Sequence, residues 1–406
     1  MGGSGHTHSD PRRILVVCTR YIGDTVLAIP FLRNLRRAFP HATIDVCAEG
    51  GARMVLADCP YVDELVAWRR PAGRRSLAAS LAAIRTQATW LAGRGYDRAY
   101  LLKRSLSGAL LATLAGIPHR VGFAADGRWL LHTAVKPARG RHQADRYLDL
   151  LRADGLAVDE GVNENWITPV AAARVADLLA PLPAARPRVF LALRSTAPEK
   201  EWPADRWAVL VSRLVAERGC EVVLCGAPDD VPLHDAVREA VGPLVAGHVH
   251  DLSEQVCLRE TGALVARMDL CVGVDTGLVH LAASHDIPVV VLFGPTDPNR
   301  WSPWTPRATV VRSPRLRQSL GDRLGLTPRR NHCPWPFGIA ALADIAVADV
   351  WAAVAAQLPA PAPAPAIRTL DLRTGSFRYE VVAGLPAPAE AAAAARPATK
   401  PLAQAH

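Results

Sequence analysis

The chain alternates short apolar, β-branched runs with helix-length amphipathic segments, and it does so twice, with a proline-bearing stretch between the two series. In the first series Arg12-Arg13-Ile14-Leu15-Val16-Val17-Cys18 reads as a buried strand. A polar turn at Gly23-Asp24 follows, then a helix to residue 39 that is bent at Pro30, where an interior proline removes a backbone hydrogen bond. Strands over 42–48, 64–68 and 96–102 and helices over 76–94 and 141–153 complete this half. The crossing spans 157–188 and carries Pro181, Pro183 and Pro187. The second series places strands at 188–193, 221–225, 270–273 and 288–293, with helices at 204–218, 231–241, 258–267, 277–285 and 343–358. Strands this apolar are buried on both faces, which requires helices covering a parallel sheet. The alternation therefore predicts an α/β chain with two doubly wound parallel sheets. Ligands on such sheets bind beyond the carboxyl ends of the strands.

A length of 406 residues agrees with two cores of about 150–200 residues each. The expected boundaries are a disordered start over 1–11, Rossmann-like domains over 12–170 and 188–342, a linker over 171–187 and a final helix over 343–358. The remainder, 359–406, is rich in Pro and Ala and too poor in core-forming side chains to fold. Within it only 367–382 alternates enough for a strand pair. No apolar run approaches the roughly 18 residues of a membrane helix, and residues 1–10 lack the apolar centre of a secretory signal, so a cytoplasmic location is expected. Eight cysteines, none in C-x-x-C spacing, read as buried reduced thiols and not as a zinc site. The net charge of +9 suits an anionic partner or an ordinary arginine-rich surface. Basic strands interleaved with aromatics and a recognition helix are both missing, so nucleic acid is not the expected partner.

Three strand-to-helix turns carry chemistry. Gly273-Val274-Asp275-Thr276-Gly277-Leu278-Val279-His280 runs from a strand into a helix, with Asp275 and Thr276 at the cap and His280 one turn in. A turn of this kind presents amide N–H groups to a diphosphate, and Gly277 leaves room for it. The alternative is a capped helix with a buried histidine. Phe293-Gly294-Pro295-Thr296-Asp297-Pro298 ends the next strand and supplies a second wall, with Gly294 and Thr296 as candidate contacts. The turn Leu193-Arg194-Ser195-Thr196, continuing to Lys200, offers a point charge and hydroxyls for phosphate, or else a solvated loop. Asp24 follows the first strand and is either an N-cap or a general base acting from the opposite domain. No D-x-D pair occurs, so neither a metal nor another cofactor is expected to hold the diphosphate.

Together these segments resemble the ADP-heptose–lipopolysaccharide heptosyltransferase family, glycosyltransferase family nine, over roughly residues 13–358. The resemblance rests on Gly23-Asp24 and on Arg120-Val121-Gly122-Phe123. It rests also on His142 to Tyr147, Lys200-Glu201-Trp202-Pro203, Val274 to Ala283 and Phe293 to Pro298. It implies a GT-B architecture, two Rossmann-like domains facing across a cleft, with an acceptor-binding N-terminal domain and a nucleotide-sugar-binding C-terminal one. The final helix would fold back onto the first domain. It further implies inverting transfer of heptose from ADP-heptose to an anionic glycolipid acceptor, with the enzyme peripheral at the cytoplasmic face of the inner membrane. Asp24 would be the catalytic base. Thr196 and Lys200 would contact phosphate, with Ser195 and Arg194 beside them, and Asp275, Thr276, Gly277 and His280 would hold the donor. Leu193-Arg194 stand where the family has a glycine. Other nucleotide sugars, other glycan or protein acceptors, and an inactive nucleotide-sugar-binding protein are the competing readings.

Overall fold

The computed structural model describes residues 11–18, 20–68, 76–124, 127–138, 140–159, 163–197, 200–313, 342–358, 367–370 and 377–380. The first half runs β1 (Arg13–Val17), α1 (Ile22–Val26), α2 (Ile29–Ala38), β2 (Thr43–Ala48), α3 (Gly50–Val55), β3 (Glu64–Ala67), α4 (Leu77–Ala92) and β4 (Arg98–Leu101). It continues through α5 (Leu106–Leu114), β5 (His119–Phe123), a single 3-10 turn (Arg128–Leu130), β6 (Thr133–Val135), α6 (Gln143–Ala153) and α7 (Pro169–Leu179). The second half runs β7 (Arg188–Ala192), α8 (Ala204–Arg218), β8 (Glu221–Leu224), α9 (Val231–Ala240), α10 (Pro243–Ala246), β9 (Val249–Asp251) and α11 (Leu258–Val265). It ends with β10 (Leu270–Val274), α12 (Gly277–Ala283), β11 (Val289–Phe293), α13 (Pro298–Trp301), β12 (Ala308–Arg312) and α14 (Val347–Gln357). An antiparallel pair, Ile367–Leu370 with Phe377–Glu380, stands apart from both sheets.

The sheets are ordered β3-β2-β1-β4-β5-β6 and β12-β11-β10-β7-β8-β9, parallel throughout. Each is the Rossmann order, and each reverses direction once, between β1 and β4 and between β7 and β10. Alternation along β1 divides the first core: Leu15 and Val17 face α4 and α5, whereas Ile14 and Val16 face α2 and α6. The latter core continues through Phe190, Leu264, Val279 and Val289 of the second half, so one apolar mass joins the two sheets.

Several expectations are corrected. The helix expected to bend at Pro30 is two helices, with Pro30 in the first turn of α2, where its missing N–H costs no intrahelical bond. Strands β5, β6, β9 and β12 were not expected, because they are short, polar at their starts or half-exposed. The expected linker contains α7, capped by Thr168, whose hydroxyl accepts from the Ala171 amide at 3.2 Å, and packed on α11 of the second half. The final helix does not return to the first domain: Val350, Trp351, Val354 and Leu358 enter the core of the second sheet with Trp207, Val290 and Leu292. Arg213 lies over the Trp351 ring at 4.3 Å, and Arg218 Nε donates to the Leu358 carbonyl at 3.2 Å. Six cysteines are buried as expected, Cys257 is exposed, and Cys333 lies outside the described residues, as does the Pro/Ala-rich sequence apart from the strand pair.

Gly273 shows how closely the second sheet is filled. A Cβ there would lie 2.7 Å from Ala192 Cβ and Val279 Cγ1 and 2.9 Å from the Ala192 carbonyl oxygen. Gly273→Ala is therefore expected to cost about 1–3 kcal/mol by overpacking, read as a lower urea midpoint. An unchanged midpoint would contradict this packing.

Candidate active site

The two topological reversals set the site. Residues 193–200 follow β7 and residues 275–280 follow β10, so the second reversal brings both turns to one crevice. Ile22-Gly23-Asp24 after β1 and Arg104 after β4 occupy the equivalent place on the first sheet. The crevices face each other because α1 and α12 touch. A Cβ on Gly23 would lie 2.7 Å from His280 Cδ2, and one on Gly277 would lie 2.7 Å from Ile22 Cβ. The room left by Gly277 is thus taken by Ile22 of the opposite half, not held open for a ligand. A second contact closes the cleft further along. His142 Nε2 donates to the Ser302 carbonyl at 2.8 Å, and its ring stacks on Trp304 at 4.4 Å.

Asp275 is the hub on the second side. Its Oδ2 accepts from Lys200 Nζ at 2.8 Å and from Thr296 Oγ1 at 2.6 Å, and its Oδ1 lies 3.9 Å from His280 Nε2. Ser195 Oγ donates to the Asp275 backbone carbonyl at 3.3 Å. Burial alone would raise the Asp275 pKa, but His280 and Lys200 outweigh it and hold the carboxyl at about 2. The aspartate is therefore an ionised anchor and not the helix cap expected from sequence. Thr276 holds the cap position in extended conformation without a side-chain cap bond, leaving the first amides of α12 uncapped by side chains. Lys200 spends one of three N–H donors on Asp275 and keeps two. Thr196 is exposed on its loop. Arg194 is drawn aside, with Nε 3.0 Å from Glu201 Oε1 and the guanidinium on the Asp229 carbonyl. Gly294 serves packing: a Cβ would lie 2.9 Å from Leu342 Cγ.

Asp24 faces this hub from α1. Tyr147 Oη, reaching across from α6, donates to Asp24 Oδ1 at 3.1 Å. Burial raises the Asp24 pKa, and Asp275 adds to the rise. The Tyr147 hydrogen bond, His280 and Arg300 oppose it. Tyr147 and Arg300 were not singled out from sequence. Tyr147 sat inside the quoted His142–Tyr147 pattern without a role. Arg300 lies two residues beyond Phe293–Pro298, and only its position after that loop could have signalled it. Arg300 Nε donates to Gln143 Oε1 at 3.0 Å, which ties α13 to α6. Burial and repulsion from Arg146 lower the Arg300 pKa to about 10, so the guanidinium stays charged beside Asp24.

Two six-stranded Rossmann-type sheets facing across a cleft define the GT-B architecture of a glycosyltransferase. The family model described as glycosyltransferase family 9 (heptosyltransferase) matches residues 85–322, and the chain belongs to that family. Lipopolysaccharide heptosyltransferase 2 of Escherichia coli (strain K12) is 29% identical over 320 residues, covering 74% of this chain and 88% of the relative. The corresponding protein of Salmonella typhimurium is 29% identical over 313 residues, with the same shares. The solved structure of E. coli ADP-heptose lps heptosyltransferase II superposes with a TM-score of 0.68 at 25% identity, covering 85% of this chain and 98% of that one. A family 9 glycosyltransferase from Veillonella parvula gives a TM-score of 0.70 at 23% identity over 86% and 97%, a likeness of fold. The protein is a glycosyltransferase enzyme of the heptosyltransferase family. Among the described residues no helix is long and apolar enough to cross a membrane.

The clasp at His142 responds to pH. Its Nδ1 accepts from the Ala144 amide at 3.2 Å, so the ring proton sits on Nε2 and the imidazole is neutral. Burial pushes the His142 pKa down to about 4, partly opposed by the Ser302 carbonyl. The unfolded value is about 6.5, so the unfolded chain binds more protons between the two. This contribution to stability is complete above the unfolded value and is lost as pH falls toward the folded one. His142→Gln is expected to flatten the pH dependence of unfolding free energy in that window, measured by denaturant titration at each pH. A slope equal to the parent's would refute the assignment.

Proposed function

We propose that the protein transfers heptose from ADP-heptose to the core region of a lipopolysaccharide, by single displacement with inversion at the anomeric carbon. The observation that carries this reading is the placement of Asp24 on one wall, with the Lys200–Asp275–Thr296–His280 cluster on the other. Asp24, ionised, takes the proton of the acceptor hydroxyl as that oxygen attacks. Tyr147 fixes which carboxylate oxygen faces the cleft. The leaving ADP gathers charge on its diphosphate, met by the two remaining donors of Lys200, by Ser195 and Thr196, and by the uncapped amides of Gly277 and Leu278. Each such donor contributes on the order of 3 kcal/mol to transition-state stabilisation. Thr276 and His280 border the donor sugar, and His280 Nδ1, buried without a protein partner, has a hydrogen bond to give or accept there. Arg104, Arg146 and Arg300 make the acceptor side positive, in keeping with a phosphorylated or carboxylated glycolipid at the cytoplasmic face of the inner membrane.

Asp24→Asn is expected to lower turnover by roughly 10²–10⁴-fold while ADP binding, followed calorimetrically, stays near the parent's. Product would be read by mass spectrometry across a panel of ADP-, GDP- and UDP-sugars. Turnover retained by Asp24→Asn would remove Asp24 as base, and preference for a UDP- or GDP-sugar would overturn the donor.

Arg300 gives the pH dependence a sign. The raised Asp24 pKa places the acid limb of kcat/KM above the ordinary carboxylate range. A neighbouring cation favours the ionised form, so Arg300→Gln should move that limb to higher pH, with Arg300→Lys close to the parent. A limb that stays in place would show that Arg300 does not act on the base.

A further inference from the structure

Helices α4 and α5 lie side by side over the first sheet, with Ala88, Leu91, Ala109, Leu111 and Ala112 turned into the core. Their outer faces are apolar as well. Leu77 is 77% exposed, and Leu81, Trp90, Leu106 and Leu114 are also exposed. Trp129, on the 3-10 turn beside α5, is 74% exposed. A soluble surface helix ordinarily carries polar side chains there, and a contiguous apolar face marks an interaction site.

Charge names the occupant. Residues 76–135 contain seven Lys or Arg, two Asp and no Glu. Asp97 is consumed by the amides of Arg12 and Arg13 at the far edge of the sheet, at 2.7 and 2.9 Å, and Asp126 lies outside the described residues. Arg85, Arg104 and Arg128 are exposed among the apolar side chains. Two such faces repel each other, which disfavours a second copy of the chain. Leucine and tryptophan interspersed with arginine is the composition that settles into the headgroup layer of an anionic bilayer.

We infer that the outer face of α4, α5 and the Arg128–Leu130 turn is the surface by which this enzyme lies on an anionic phospholipid membrane. The inference rests on the reading of the acceptor as a membrane glycolipid, and it adds the orientation. Leu106 and Trp129 follow the carboxyl ends of β4 and β5, the end of the first sheet that carries Asp24, and Arg104 after β4 adjoins Arg146 and Arg300 beside Asp24. Docked this way, the mouth of the cleft meets the lipid surface, and an acceptor can present its sugars while its acyl chains stay in the bilayer.

Vesicle flotation of the full chain tests this. The parent should float with phosphatidylglycerol/phosphatidylethanolamine vesicles, stay down with phosphatidylcholine alone, and detach at about 0.5 M salt. Leu77→Ser/Leu81→Ser/Trp129→Ser should reduce the floated fraction by at least about tenfold, with turnover on a lipid-free acceptor unchanged. Arg85→Glu/Arg128→Glu, which leaves the apolar side chains in place, should reduce it too. Flotation of both variants equal to the parent's overturns the inference. So does a parent that sediments as a dimer and becomes a monomer in the triple variant, because the face would then bind a second copy. Failure of transfer to every acceptor, with flotation intact, would instead overturn the proposed activity.

Discussion

The structure depends on two missing side chains. Gly23 and Gly277 let the first helix of one sheet and the helix after β10 of the other meet at van der Waals distance. Because the helices meet there, the two topological reversals open toward each other, and Asp24 comes within electrostatic reach of His280. Any side chain at either position would have to displace Ile22 or the His280 ring, and the catalytic wall would move away from the nucleotide wall. Further contacts between the halves, His142 with Ser302 and Trp304, Arg300 with Gln143 and Arg259 with Asp58, add to the shared apolar core once the glycines allow closure.

On the nucleotide side the controlling element is a buried carboxylate. An isolated Asp275 would be neutralised by burial. Lys200, Thr296 and His280 make it an ionised post around which the loop after β7, the loop after β11 and the start of α12 are arranged. The lysine is thereby positioned without being used up. Arginine in its place would present a planar fork in which fewer donors could be shared between a carboxylate and a diphosphate.

The architecture was legible in the sequence because its strands are continuous β-branched runs with no amphipathic ambiguity. Residues 14–17 and 289–293 could be little else. What escaped were edge elements such as β6 and β12, which bury too little to leave a pattern. The placement of α14 also escaped, because it depends on which sheet offers a matching apolar groove. At the site, Asp275, Lys200, Thr296 and His280 were found by position after strands, and the structure brings them together. The capping role given to Asp275 and the open space given to Gly277 were local readings. Both were overruled by partners far away in sequence, Lys200 for the first and Ile22 for the second. Tyr147 and Arg300 matter only through cross-domain contacts, and no local pattern carries those.

The arginine beside the base belongs to the other half of the molecule, and so does His280. The carboxylate of Asp24 therefore feels the Arg300 guanidinium, and the burial that raises its pKa, only while the halves are together, and by reciprocity its ionisation bears on how they close. Proton affinity and cleft geometry become one coupled equilibrium. A nucleotide that changes the separation of the walls must also change the proton affinity of Asp24, so the heat of binding will vary with the ionisation enthalpy of the buffer.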